Sequence, residues 1–241
     1  MPKQSNQENR NIRKRSRYKK VYNHKRSKRI HQIWMIGCCI ILGLSIFGAV
    51  LKFFNVFRKE TPYYQPDPQY TDGRPCIDVQ LLTPNEYSRP GISTEKIKGI
   101  VIHYVGNPGS TAQGNRDYFD GLKDSHETYA SSHFVVGLDG EIIQCVPTNE
   151  IAYCSNSRNI DTVSKEVCHE TEDGKFNEKT YASLVHLTGW LCTYLDISYR
   201  GVIRHYDVTG KICPKYYVEH EEAWDTFLED VKIWLRSEKH P

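Results

Sequence analysis

The sequence predicts a mixed α/β domain, in which helices pack on the faces of a central β-sheet, preceded by a single transmembrane helix. Two observations predict this class. Short runs of Ile and Val alternate with amphipathic stretches of helical period along the second half of the chain, an order that is typical of helices covering a sheet. An apolar segment without charged residues, residues 30–51, comes before them.

The apolar segment predicts a membrane anchor. It has no Asp, Glu, Lys or Arg over 22 residues, and at ~1.5 Å per residue a helix of this length spans the ~30 Å hydrocarbon core of a bilayer. A buried globular helix is disfavoured because no polar face interrupts the segment. A signal peptide is disfavoured because its apolar region is usually only ~7–15 residues long and ends at a small-residue cleavage site. We therefore expect residues 30–51 to contact membrane lipid.

The charge distribution predicts how this anchor is oriented. Residues 1–29 contain twelve Lys or Arg and one acid, so they carry +11, and the rest carries −8 because the net charge is +3. Basic residues flank membrane helices on the cytoplasmic side. We expect a single-pass protein of the cell membrane, with residues 1–29 as a cytoplasmic arm and the C-terminal domain extracytoplasmic. A basic arm can also bind nucleic acid, but its place directly before the apolar segment favours a role in topology, and no nucleic-acid partner is expected.

A proline-rich segment, residues 52–75, follows the anchor. Its composition predicts an extended, semi-rigid, extracytoplasmic linker. One domain remains, residues 76–241, with six cysteines. Outside the cell these cysteines could form three disulfides, whose pairing the sequence does not determine.

The first half of this domain predicts a strand, a helix and a hairpin. The run GIVIHY is a buried strand that ends near His103. After a turn, Ser110 can cap a helix through residues 111–124. Residues 132–147 predict two strands joined by a turn, because Asp-Gly between apolar runs is a strong hairpin signal.

The second half predicts two strands and two helices. Residues 161–169 alternate as a strand that carries Glu166 on one face. Residues 177–195 place apolar side chains at helical spacing. The run GVIRH is another short strand, ending at His205, and a last helix is expected over residues 219–236.

Two of these strands end in a histidine, and a cysteine follows the second one. His103 and His205 come at the carboxyl ends of apolar runs, where α/β sheets place their sites. Cys213 follows His205 by eight residues, through a loop that contains Gly210. Two imidazoles and a thiolate make three zinc ligands and leave the fourth position open, as in catalytic sites. By themselves these residues also fit buried histidines, a half-cystine, or a cysteine nucleophile with a histidine base.

Four blocks of sequence, taken in order, are more specific. They are GIVIHYVGNPGSTAQGNRDYF, SSHFVVGLDGEIIQCVP, NSRNIDTVSKEVCH and VIRHYDVTGKICP. Together they resemble the zinc-dependent N-acetylmuramoyl-L-alanine amidases of the type-2 amidase family, which is related to amidase-type phage lysozymes and to peptidoglycan recognition proteins. The resemblance covers roughly residues 78–235 and implies an amidase domain over residues 76–241.

The resemblance also implies roles for individual residues. The ligands that it implies for Zn²⁺ are His103, His205 and Cys213. Other members have Asp at the last of these positions. Lys211 matches the lysine that stabilises the oxyanion, and Glu166 matches the glutamate that acts as general base. His133 matches a histidine near the substrate cleft and is a candidate substrate contact.

Two positions depart from the family pattern. Ser132 stands where some phage relatives have a catalytic tyrosine, which leaves proton transfer to Glu166. Lys165 stands where the family usually has an apolar residue. Because side chains alternate along a strand, we expect Lys165 to point away from the face that carries Glu166.

The chemistry of these residues agrees with a hydrolase. Amide hydrolysis needs an activated water, a proton carrier and a group that stabilises the carbonyl oxygen, and zinc, Glu166 and Lys211 supply them. The expected function is a membrane-anchored zinc amidase that cleaves the bond between N-acetylmuramic acid and L-alanine in peptidoglycan. The alternative is a non-catalytic peptidoglycan-recognition module of the same fold. Such modules commonly lack a zinc ligand, whereas this chain keeps all three.

Overall fold

A computed structural model of the chain describes residues 34–35 and 67–237. The chain divides into two units, residues 1–60 and residues 61–241. The fold and the site described below belong entirely to the second unit.

The predicted arm and anchor, residues 1–29 and 30–51, lie outside the described residues except for Trp34 and Met35. The same holds for the first part of the predicted linker. Within the described part of the chain, every helix is too short or too polar to cross a bilayer. The orientation and anchoring expected from the charge pattern stay predictions.

Within residues 67–237, six strands form one mixed sheet in the order β1-β4-β3-β5-β2-β6. Their bounds are β1 Asp78–Val79, β2 Gly99–Ile102, β3 Phe134–Val136, β4 Ile142–Gln144, β5 Thr162–Val167 and β6 Val202–Arg204. The hairpin strands β3 and β4 pair antiparallel, and the other neighbours pair parallel. The mixed sheet confirms the α/β part of the predicted fold class. The sequence did not predict β1, because a two-residue strand has no periodicity to detect.

Five α-helices surround the sheet in the part of the chain that the structure describes. They are α1 Ala112–Ser125, α2 Glu178–Tyr194, α3 His205–Thr209, α4 Lys215–Glu219 and α5 Glu221–Ser237. The expected cap of α1 was wrong by one residue: the hydroxyl of Thr111 accepts from the N–H of Gly114 at 3.1 Å, whereas Ser110 lies in the preceding turn. The predicted last helix is confirmed as α5, which begins two residues later than expected, and the short helix α4 before it, which ends at Glu219, was not predicted.

Both faces of the sheet are buried. On one face, side chains such as Ile102 and Val163 pack with α2 and α5, where Leu184 and Phe227 are fully buried. On the other face, α1 packs on β3 and β4 through residues that include Leu122. Helices on both sides of the sheet leave the ends of its strands as the accessible places for a site.

The last part of the predicted linker contacts the domain. The Nε2 atom of His186, on α2, lies 2.7 Å from the carbonyl oxygen of Gly73, and Nε1 of Trp190 donates to a carboxylate oxygen of Asp72 at 3.3 Å. These bonds join α2 to the chain just before β1. Residues 72–73 therefore belong structurally to the folded domain.

The alternation predicted along β5 is confirmed. Lys165 points into the core between the sheet and α2, where its side chain is 0% exposed and its Nζ donates to Oγ1 of Thr188. Glu166 points to the opposite face, where it contacts Cys154. One strand thus carries a buried amine on its core face and a carboxylate on its site face.

Candidate metal centre and active site

The adjacent strands β2 and β6 bring two histidines together. Ile102 pairs with Arg204 in parallel register, so the residues that follow, His103 and His205, leave the sheet side by side. Their ring centroids are 4.5 Å apart, and both side chains are buried. Strand pairing therefore joins two segments that are far apart in the sequence.

A turn after α3 returns Cys213 to these histidines. Helix α3 ends at Gly210, whose φ of 77° suits a residue without a side chain. The N–H of Tyr206 then donates to the carbonyl of Cys213 at 2.9 Å. The Sγ atom of Cys213 lies 3.8 Å from Nδ1 of His103. Ligand atoms of His103, His205 and Cys213 all lie within 4.8 Å of one another, so the structure brings the three predicted ligands into one cluster.

Arg204 fixes the segment that carries His205. Its guanidinium donates to Asp207 at 2.9 Å within α3 and to Glu221 at 2.7 Å at the start of α5. The backbone N–H of Arg204 also donates to Asp207, at 2.8 Å. These bonds join the end of β6, the helix α3 and the helix α5, and they hold His205 in place at the edge of the sheet.

The Nε2 atom of each ring contacts a side-chain oxygen of the segment before β5. Nε2 of His103 lies 3.2 Å from Oγ of Ser155, and Nε2 of His205 lies 2.9 Å from Oδ1 of Asn156. Nδ1 of His205 is buried and has no hydrogen-bond partner among the described residues. A histidine that binds a metal uses its second nitrogen for a hydrogen bond. The pattern fits coordination through Nδ1 of both rings, and two imidazoles with a thiolate are a donor set that suits Zn²⁺.

The electrostatic environment suits this use. Burial lowers the pKa of His103 well below its ordinary value, with smaller contributions from His205 and the ammonium of Lys211. Burial and Lys211 also lower the pKa of His205. Both rings are therefore neutral, which is the form that binds a metal. Burial raises the pKa of the Cys213 thiol to about 12 in the metal-free protein, with a further contribution from Glu166, so metal binding has to release this proton.

Glu166 faces the same cluster from β5. Its Oε1 accepts from Sγ of Cys154 at 3.5 Å, and its Oε2 is buried with no hydrogen-bond partner in residues 67–237. Burial raises the pKa of Glu166 to about 8, and the bond from Cys154 and the charge of Lys211 oppose this rise. Ligand atoms of His103, Cys154 and Glu166 lie within 4.8 Å of one another. A carboxyl group with a free oxygen and a pKa near neutrality can take up and return a proton.

Lys211 lies on the exposed turn between α3 and Cys213. Its ammonium lowers the pKa of Glu166 and of both histidines. The positive charge of Lys211 therefore acts on the carboxyl group and on both imidazoles. Because Lys211 is exposed, a bound molecule could also contact it.

His133 lies apart from this arrangement. Its side chain is 1% exposed, the N–H of Ser164 donates to its Nδ1 at 3.0 Å, and its Nε2 lies 2.9 Å from the carbonyl oxygen of Glu150. Burial lowers the pKa of His133 to about 4. Both ring nitrogens are thus occupied within the domain, and the ring offers neither of them to a ligand in this geometry. The substrate contact expected for His133 stays a prediction.

The structure adds features that the sequence did not reveal. Residues 154–156 contact the cluster, although nothing in their spacing matches a ligand or catalytic motif. All six cysteines of residues 76–241 are free thiols, so the three disulfides considered possible for an exported domain do not form in this structure.

The fold and the cluster together define a candidate metal-dependent hydrolase. The Amidase_2 family, described as N-acetylmuramoyl-L-alanine amidase, matches residues 93–216, slightly more than half of the chain. The chain therefore belongs to the N-acetylmuramoyl-L-alanine amidase family, which confirms the resemblance seen in the sequence blocks.

Individual relatives agree with this assignment. The chain is 35% identical over 164 residues to the N-acetylmuramoyl-L-alanine amidase CwlL of Bacillus licheniformis, and the match covers 63% of this chain and 45% of that protein. The chain thus spans less than half the length of this curated relative. The catalytic domain of XlyA has a TM-score of 0.56 at 27% identity, covering 65% of this chain and 99% of that domain. A mutant endolysin from Bacillus subtilis has the same TM-score at 28% identity, and the match covers 65% of this chain and 98% of that protein.

Proposed function

We propose that this protein is a zinc-dependent amidase that hydrolyses the amide bond between N-acetylmuramic acid and L-alanine in peptidoglycan. The observation that carries the proposal is the cluster of His103, His205 and Cys213 beside the free carboxylate oxygen of Glu166, in a chain of the N-acetylmuramoyl-L-alanine amidase family. Membership of the family supports the substrate and the bond. The buried nitrogen and sulfur donors support the metal.

The proposal gives each residue a distinct role. His103, His205 and Cys213 hold Zn²⁺, which when bound supplies a Lewis acid for activating water and polarising a carbonyl group. Glu166 takes the proton from the attacking water through its free oxygen and returns it to the leaving nitrogen of the alanine. Lys211 places positive charge near the carbonyl oxygen as negative charge develops there. The contact with Sγ of Cys154 holds the Glu166 carboxyl group beside the ligand cluster.

We also propose that residues 30–51 anchor the protein in the cell membrane, with the N-terminus cytoplasmic and the amidase domain outside. The length of the apolar segment and the basic residues before it support this topology. Protease added to intact cells whose wall has been removed should degrade the domain. Complete protection of the domain in that experiment would contradict the orientation.

The activity can be tested with the full-length protein, zinc and purified peptidoglycan. Mass spectrometry should find free alanine amino termini on the released stem peptides and no new reducing sugar, and a chelator should abolish the release. New reducing ends would indicate a glycosidase. Zinc binding and wall binding without any release would indicate the non-catalytic recognition module. Activity that resists chelators and fails after thiol alkylation would indicate a cysteine peptidase.

A further inference from the structure

One short turn contacts three residues of the candidate site. The turn comprises residues 154–156, which lead into the 3₁₀ turn Asn156–Arg158 before β5. Each side chain contacts a different member of the site: Cys154 contacts Glu166, Ser155 contacts His103, and Asn156 contacts His205. A single segment outside the ligand set thus reaches the carboxylate and both imidazoles.

The backbone of this turn is well fixed. Oδ1 of Asn159 accepts from the N–H of Cys154 at 3.1 Å and from the N–H of Ser155 at 2.6 Å. Asn156 has a φ of 52°, a left-handed conformation that asparagine tolerates better than most residues other than glycine. The side chains of Ser155 and Asn156 are therefore held against the rings by a preformed turn.

These contacts bear on which nitrogen of each ring carries the proton. If Oδ1 of Asn156 accepts the proton on Nε2 of His205, the lone pair of His205 is on Nδ1, the buried atom without a hydrogen-bond partner in the described domain. Oγ of Ser155, whose side chain is 1% exposed, lies 3.2 Å from Nε2 of His103, and if it accepts the proton on Nε2 the lone pair of His103 is on Nδ1. A hydrogen bond to the second nitrogen fixes both the tautomer and the orientation of a metal-binding imidazole.

We propose that Ser155 and Asn156 are positioning residues, which fix the Nε2–H tautomer of His103 and His205 so that both rings present Nδ1 to zinc. The inference rests on the proposed zinc site and adds to it the residues that prepare the site before the metal arrives. It predicts that the tautomers are already set in the metal-free protein.

The test compares substitutions at Asn156 that distinguish two effects: loss of the acceptor oxygen and disturbance of the left-handed backbone. Asn156→Gly suits the left-handed backbone but removes the acceptor, and zinc affinity, measured by competition with a chromophoric chelator, should fall ~10–100-fold. Asn156→Asp keeps an acceptor oxygen and should hold zinc within a few-fold of the wild type. Ser157→Ala changes an exposed side chain of the adjoining 3₁₀ turn and is the matched control, with unchanged affinity expected.

Nitrogen NMR of the metal-free proteins gives a second readout that does not depend on activity. The His205 ring should be the Nε2–H tautomer in the wild type and in Asn156→Asp, and a mixture of tautomers in Asn156→Gly. Ser155→Ala should cause the same change at His103, and it tests the inference independently if Asn156→Gly does not fold.

Different failures have different meanings. A wild-type protein that binds no zinc would overturn the proposed function itself. A wild type that binds zinc, with Asn156→Gly and Ser155→Ala binding it equally tightly and showing wild-type tautomers, would overturn only this inference. Equal loss of affinity in Asn156→Asp and Asn156→Gly would also overturn it, because the acceptor would then not be what matters.

Discussion

Replacing Lys165 by methionine should stabilise the protein at neutral pH. The side chain of Lys165 is 0% exposed in the core, between Val163 and Val167 along β5. Burial lowers the pKa of Lys165 from 10.5 to about 7, because the charged amine loses its hydration. Methionine has a similar length and no charge to desolvate. Thr188 keeps a hydrogen bond in the variant, since its hydroxyl already donates to the carbonyl of Leu184 at 2.5 Å.

The magnitude follows from the difference in pKa. Between pH 7 and pH 10.5 the unfolded chain holds a proton on Lys165 that the folded chain lacks, so this group makes the free energy of unfolding rise with pH across that window. At about 1.36 kcal/mol per pKa unit, Lys165 opposes folding by roughly 4 kcal/mol at pH 7 and roughly 2 kcal/mol at pH 9. Lys165→Met should therefore stabilise the protein by about 2 kcal/mol more at pH 7 than at pH 9.

Urea unfolding of the wild type and the variant at both pH values measures this difference. At each pH, the free energy of unfolding of the wild type is subtracted from that of the variant. This difference cancels the contributions of Glu166 and of other groups that titrate in the same window. Lys98→Met is the control, because the Lys98 side chain is 60% exposed, and its effect on stability should be the same at both pH values. A Lys165→Met effect that does not change with pH, or a variant less stable than the wild type at pH 7, would refute the reasoning.

Three further predictions concern the site. Cys213→Ser should lose most of its bound zinc in metal analysis while the circular dichroism of the domain is unchanged, and full zinc content would show that the sulfur is not a ligand. Glu166→Gln should keep its zinc and lose ~10²-fold or more in kcat, because an amide cannot carry the proton; wild-type turnover would mean that another residue is the base. Lys211→Met should lower kcat ~10²–10³-fold with little change in KM, because its charge acts on the transition state, and an effect on KM alone would contradict that role.

Much of this site could be predicted from the sequence, because its elements have local signals. The apolar run before His103, the alternation around Glu166 and the loop between His205 and Cys213 are all visible in short windows. The pairing of β2 with β6 is not visible in any short window, because it depends on packing between segments that are distant in the sequence. The sequence places each histidine at a strand end, and the parallel register of the two strands brings the rings together.

The turn that holds the rings could not be predicted, for a related reason. Ser155 and Asn156 are ordinary turn residues in composition, and their contacts with the histidines exist only after β5 has paired with β2. Similarly, the short helix α4, residues 215–219, was not predicted, because five residues are too few to show helical periodicity. Local periodicity finds elements, whereas the groups that orient a site come from tertiary contacts.

Strand β5 carries two consecutive residues, Lys165 and Glu166, whose shifted pKa values both affect the pH dependence of stability. Burial raises the pKa of Glu166 to about 8 and lowers the pKa of Lys165 to about 7. In the metal-free protein Glu166 makes stability fall as pH rises from 4.5 to about 8, because the unfolded chain has lost a proton that the folded chain keeps, and Lys165 makes it rise from about 7 to 10.5. Taken together, these two residues oppose folding of the metal-free domain most strongly near pH 7–8. A cation at the cluster of His103, His205 and Cys213 would favour the ionised carboxylate, so metal binding would relieve the unfavourable effect of Glu166. It cannot relieve that of Lys165, which lies on the opposite face of the strand, beyond the sheet from the metal site.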